Sequence, residues 1–111
     1  MIILVAPKLL RIFSPHINGL TLFPFILLKR QYMRNDPVLM NHEKIHIRQQ
    51  AELLVIPFYL IYLAQYGFNL FYYRDHYKAY RNIMFEKEAY ACEKDMRYLQ
   101  RRKLFGFVRF Y

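Results

Sequence analysis

The segment Asn41-His42-Glu43-Lys44-Ile45-His46 sets two imidazoles four residues apart, with a carboxylate directly after the first. On a helix, residues four apart lie one turn above each other on one face, so His42 and His46 can aim ring nitrogens at a single ion. Glu43 stands on the adjacent flank, displaced enough to miss the metal and still reach a water bound to it. Zinc lowers the pKa of such a water to about 7, and the carboxylate can take its proton as it attacks a carbonyl. The chemistry that these residue types suit is metal-assisted hydrolysis. The same spacing also suits a solvated helix face with two ordinary histidines, so a third protein donor decides between the two.

Two candidates for that donor lie in Phe85-Glu86-Lys87-Glu88-Ala89-Tyr90-Ala91. Glu86 and Glu88 both flank an apolar stripe, and helical geometry alone does not separate them. HExxH followed by Glu-x-x-Ala-x on a later helix resembles the gluzincin zincins, including the very small single-domain members called minigluzincins. The resemblance spans about Leu20 to Gln100, with the two motifs as its specific part. It implies a Zn²⁺ cofactor, hydrolysis of a peptide or protein substrate, and Glu43 as general base. It also implies His42, His46 and Glu86 as ligands, with Glu88 as the alternative, and Ala89 as the small residue that lets two helices approach.

Where many gluzincins place an Asp or Asn that bonds a ligand histidine, this chain has Tyr90. A phenol can donate or accept but cannot supply the charge of an Asp. The resemblance further implies that an edge strand ahead of the active-site helix binds extended peptide by strand addition, which points to Leu20, Thr21, Leu22 and Phe23. An edge strand offers unpaired backbone groups for this purpose. Gln49, three residues after His46, can orient the site. His76, Tyr77, Tyr80 and Arg81 form a polar cluster ahead of the glutamate helix from which a transition-state donor can come. Packing and surface roles also fit each of them.

Positioning these groups requires a helix over residues 37–50, extending at most to Ile56. Asp36 is its expected N-cap and Pro37 its first residue. Pro57 is expected to bend or end it, with apolar sequence continuing to Tyr73. A last helix is predicted from near Asn82 to about Arg102, with Phe85, Ala89, Cys92, Met96 and Leu99 as its apolar stripe. Ahead of these, Ile2 to Val5 reads as a strand ended by Pro7. Ser14-Pro15 and Asn18-Gly19 read as turn signals, and His16 as a loop histidine. Leu20 to Leu28 reads as one edge strand, because Pro24 cannot donate to a ladder. The expected architecture is α+β, zincin-like: a small N-terminal sheet, the HExxH helix, then a C-terminal glutamate-bearing helix, in one domain of 111 residues.

A single cysteine, Cys92, excludes an intrachain disulfide framework and a four-cysteine zinc module, and it suits a core position on the helix stripe. Seventeen Lys and Arg against eight Asp and Glu give a net charge of +9, which favours acidic partners. The C-terminal stretch interleaves Arg97, Arg101, Arg102, Lys103 and Arg109 with Phe105, Phe107 and Phe110, a pattern suited to an anionic membrane surface. Nucleic acid is disfavoured as a partner because no recognised fold motif for it accompanies the charge.

The uncharged run from Leu53 to Tyr73 meets the length criterion for a membrane span, while Pro57, Gln65, Gly67, Asn69 and its tyrosines argue against one. Met1 to Phe13 does not read as a secretory signal, so a cytosolic or membrane-surface location is expected. Two other functions fit the same sequence. One is a non-enzymatic, membrane-associated basic protein; the other is a gluzincin-like fold that binds zinc without catalysis.

Overall fold

The computed structural model of the chain describes residues 2–13 and 18–111. His16 and the Ser14-Pro15 turn signal lie outside the described residues. Three short strands, β1 (Ile2–Val5), β2 (Gly19–Leu22) and β3 (Phe25–Leu28), form a mixed sheet in the order β1-β3-β2. β1 runs parallel to β3, with Ile3 opposite Ile26, and β2 runs antiparallel to it, with Thr21 opposite Ile26. The expected single edge strand from Leu20 to Leu28 is thus a hairpin. Pro24, after a cis peptide bond to Phe23, sits at the turn, and only the β2 half is an edge. Phe25–Leu28 takes the centre of the sheet, where a strand must donate to neighbours on both sides and proline has no place.

Six α-helices are described: α1 (Pro7–Phe13), α2 (Pro37–Leu53), α3 (Val55–Tyr73), α4 (His76–Arg81), α5 (Met84–Cys92) and α6 (Tyr98–Arg101). Pro7 ends β1 as expected, but it also opens α1, where its fixed φ and missing N–H suit a first helical residue. α2 begins as the sequence dictates, with the Asp36 carboxylate accepting from the Val38 and Leu39 amides and Pro37 in the first turn. Its inner face packs on the sheet through Met40, which meets Ile26 and Leu28.

The break between α2 and α3 falls at Leu54 rather than at Pro57, and the two axes meet at 111°. Pro57 lies in the first turn of α3, where a missing N–H leaves no intrahelical bond unmade. Leu54 carries the turn at φ 67, ψ 156, a conformation that glycine tolerates and a β-carbon does not. Its side chain is largely exposed. Leu54→Gly is therefore expected to raise stability by about 1 kcal/mol, read as a higher urea midpoint at unchanged slope.

The predicted helix from Asn82 to Arg102 is two helices with a turn between them. The Asn41 side-chain amide reaches across from α2 to the carbonyls of Cys92, Glu93 and Asp95 at 2.8–3.3 Å, which caps α5 and draws the chain away from the helical path. Asp95 then accepts from the Arg97 amide and so opens the next turn. Phe85 and Ala89 of the expected stripe are fully buried and Cys92 is half-buried, whereas Met96, beyond the turn, is exposed. Phe85 joins Phe58, Ile83, Met84 and Phe107 in the main core, and Ala89 meets Ile45 of α2 where the two site-bearing helices cross. No single described helix is long and apolar enough to cross a membrane; α2 and α3 pass that test only together, as a bent pair.

Candidate metal centre

α2 buries its middle turns against α5, and this puts three donor atoms at one point. His42 Nε2 and His46 Nε2 are 3.2 Å apart, and Glu86 Oε1 lies 3.2 Å from the first and 3.0 Å from the second. All three residues are 5–6% exposed. A tetrahedral ion with ligand distances of about 2.0–2.1 Å separates its donors by roughly 3.3 Å, so the triangle has the size of one face of such a site. A proton between any two of these atoms leaves the third without one, whereas a cation at the centre satisfies all three.

The far side of each ring fixes its tautomer. Gln49 donates through Nε2 to Phe85 O at 3.1 Å and to Glu88 Oε1 at 2.8 Å, so its Oε1 faces His46 Nδ1 at 2.7 Å as acceptor. His42 Nδ1 faces the Glu93 carboxylate at 3.2 Å, which again can only accept. Both rings therefore carry Nδ1–H and turn Nε2 toward Glu86, the arrangement of metal-binding histidines. Burial works against charge on His46, but the neighbouring Glu86 charge and hydrogen bond, with Glu43 and Gln49, raise its pKa to about 9. Burial likewise opposes ionisation of Glu86, and the two histidines outweigh it and hold the carboxyl well below the usual range. An imidazolium thus balances a buried carboxylate.

The structure separates the two glutamates that helical geometry left open. Glu86 points at the histidines, and its second oxygen accepts from the Tyr62 hydroxyl at 2.8 Å. Glu88 points to the other side of α5, fully buried among Arg102, Tyr98 and Gln49. Gly106 approaches this cluster so closely that a β-carbon there would stand 2.9 Å from Glu88 Oε2.

Glu43 is buried on the histidine flank, and the Thr21 hydroxyl of β2 meets its Oε2 at 2.5 Å. Its other oxygen passes over Gly19, where a β-carbon would come within 3.0 Å. A hollow of about 110 Å³ brings together Glu43, His42, His46, Glu86, Tyr59 and Tyr62. It shares Gly19, His42, Glu43 and Tyr80 with a larger cleft of about 650 Å³ that continues past Tyr66, His76, Tyr77, Tyr90 and Glu93. Burial, with the Glu86 charge, pushes the Tyr62 and Tyr80 phenols up, so both remain hydrogen-bond donors. The Tyr80 and Tyr90 hydroxyls meet at 2.7 Å, and Tyr90 packs edge-on against His42 with ring centres 4.6 Å apart. Arg81 covers the Tyr90 ring at 3.8 Å. His76 and Tyr77 line the outer cleft and are exposed, with His76 Nδ1 paired to Tyr66 at 2.6 Å.

The edge offered by Leu20, Thr21, Leu22 and Phe23 is partly covered. Gln50 donates to Thr21 O at 2.9 Å and accepts from Phe23 N at 2.7 Å, and the Tyr59 hydroxyl also bonds Thr21 O. A peptide pairing at Thr21 has to displace these side chains. Glu93, Tyr62 and Tyr59 join the site without belonging to either motif. The signal for Glu93 is its spacing, since Glu86 and Glu93 are seven residues apart and share a helix face with Tyr90 between them. The Tyr59 and Tyr62 roles depend on the sharp α2–α3 turn, for which residue types at Leu54 give no signal. Comparison with family models, with curated proteins and with solved structures finds no match for this chain.

Proposed function

We propose that His42, His46 and Glu86 hold a zinc ion and that the chain is a gluzincin-type peptidase. The observation that carries this reading is the convergence of two Nε2 atoms and one carboxylate oxygen within 3.2 Å of one another, beside a buried glutamate and at the side of a cleft. A mixed set of two imidazoles and one carboxylate, lining a hollow that adjoins the larger cleft, suits catalytic zinc. When bound, zinc supplies a Lewis acid that polarises a carbonyl and lowers the pKa of a water.

The chain's own residues do the rest. Glu43 Oε1 takes a proton from the attacking water as its oxygen bonds to the carbonyl carbon, while Thr21 keeps the carboxylate in place through Oε2. The same proton then passes from Glu43 to the amide nitrogen as the C–N bond breaks. Tyr80, protonated and facing both hollows, is positioned to donate to the carbonyl oxygen as its charge grows. Glu93 and Gln49 keep the two imidazoles in the tautomer that leaves Nε2 open.

Hydrolysis of unstructured peptides is the activity to assay. It is expected to disappear on chelation and to return with about one equivalent of zinc. Hydrolysis indifferent to chelator would contradict the reading.

A further inference from the structure

α3 has two faces of opposite character. Tyr62 bonds Glu86, Gln65 accepts from the Met84 amide, Asn69 bonds Ala79 O, and Phe58 is buried in the core. These residues commit one side of the helix to the protein. The other side carries Ile56, Leu60, Leu63, Phe68 and Phe71, each between 61% and 81% exposed. Ile56, Leu60, Leu63, Gly67 and Phe71 follow one another at the three- and four-residue spacing of a single stripe, and a β-carbon at Gly67 would meet nothing. The stripe runs almost the whole length of the helix.

No charged residue interrupts it. From Leu53 to Tyr73 there is none, and the first exposed charged side chains on either side are Arg48 and Arg74, because Glu52 is buried against Arg102. Beyond Arg74, Asp75 caps α4 and Lys78 is exposed on it. Exposed tyrosines, Tyr72 and Tyr73, stand between the apolar stripe and Arg74, as aromatics do at the headgroup level of a bilayer. A second copy of the chain is a poor occupant for this face, since docking would bring two bodies of +9 together. An anionic bilayer meets the same charge with attraction.

We propose that the outer face of α3 docks on an anionic lipid surface, with the helix lying in the interface plane and its polar side held by the protein. The inward hydrogen bonds of Tyr62, Gln65 and Asn69 suit this arrangement, because they occupy the side that a crossing helix would give to lipid. The inference is independent of the metal chemistry.

The test is flotation of the full chain with vesicles of phosphatidylcholine and phosphatidylglycerol in a two-to-one ratio, beside vesicles of phosphatidylcholine alone. The variant is Leu60→Gln with Leu63→Gln, which keeps the net charge and alters two exposed side chains, with circular dichroism confirming an unchanged helix content. Binding to the anionic vesicles that weakens with salt and falls at least about tenfold in the variant is expected. Equal binding by variant and parent would overturn the proposal by showing attraction through charge alone, as would no binding to the anionic vesicles at low salt. Self-association of the parent without lipid, lost in the variant by sedimentation equilibrium, would also overturn it and assign the face to a second copy.

Discussion

Glu43→Gln is expected to leave zinc content unchanged and to lower the turnover of a peptide substrate by about 10² to 10⁴. The substitution is nearly isosteric, and Gln offers Thr21 an amide oxygen in place of Oε2, so the buried contact at 2.5 Å keeps an acceptor. Gly19 and β2 then have no reason to move, and the three donor atoms, none of which belongs to Glu43, remain where they are. What is lost is basicity, because an amide cannot take a proton from water. Metal analysis and single-turnover peptide cleavage on the same preparation separate the two effects. Turnover retained within a few-fold would remove Glu43 from the proposed role.

The Arg102 guanidinium is buried, meets Glu88 at 2.5 and 3.1 Å and meets Glu52 at 2.7 Å. It thereby fastens the C-terminal segment to α5 and to the end of α2. Burial opposes the charge on Glu88, but hydrogen bonds from Arg102, Tyr98 and Gln49 outweigh this and lower its pKa. Arg102→Met leaves both carboxylates buried without their cation, and Glu52 Oε1 already lacks a partner among the described residues. A loss of about 3–5 kcal/mol is expected, seen as a melting temperature lower by roughly 15 °C or more in chelator-treated protein.

The lowered pKa of Glu88 makes this stabilisation depend on pH. Its contribution is fully present above the unfolded-state value near 4.5 and is lost as pH falls through the folded one. The gap between parent and Arg102→Met should therefore be widest near neutral pH and should narrow as pH falls below the unfolded-state value near 4.5 toward the lowered folded one. A gap independent of pH would mean that packing of the arginine stem carries the effect.

The convergence of His42, His46 and Glu86 was more legible in the sequence than the fold around it, and the reason is range. His42, Glu43 and His46 are fixed by local spacing on a helix whose start Asp36 and Pro37 announce. The small residue at Ala89, fully buried, lets α5 cross α2 and deliver Glu86. Proline was harder to read, because its effect depends on position within an element. Pro57 suits a first helical turn as well as it suits a break, and Pro24 marked a hairpin where a single edge strand was expected. The end of α5 depends on Asn41, a residue far away in sequence, and no local rule finds it. Which glutamate faces the histidines depends on a guanidinium distant in sequence, since Arg102 pairs with Glu88 while Glu86 meets both imidazoles.

If His42, His46 and Glu86 form one cation site as proposed, metal content reveals it. Protein prepared without a chelating tag, equilibrated with zinc at neutral pH and freed of excess, should carry about one zinc per chain by elemental analysis. The Glu86→Ala variant, folded by circular dichroism, should bind it at least about 10²-fold more weakly. No zinc in the parent after supplementation, or equal zinc in both proteins, would exclude the three-ligand site and return His42 and His46 to the role of ordinary buried histidines.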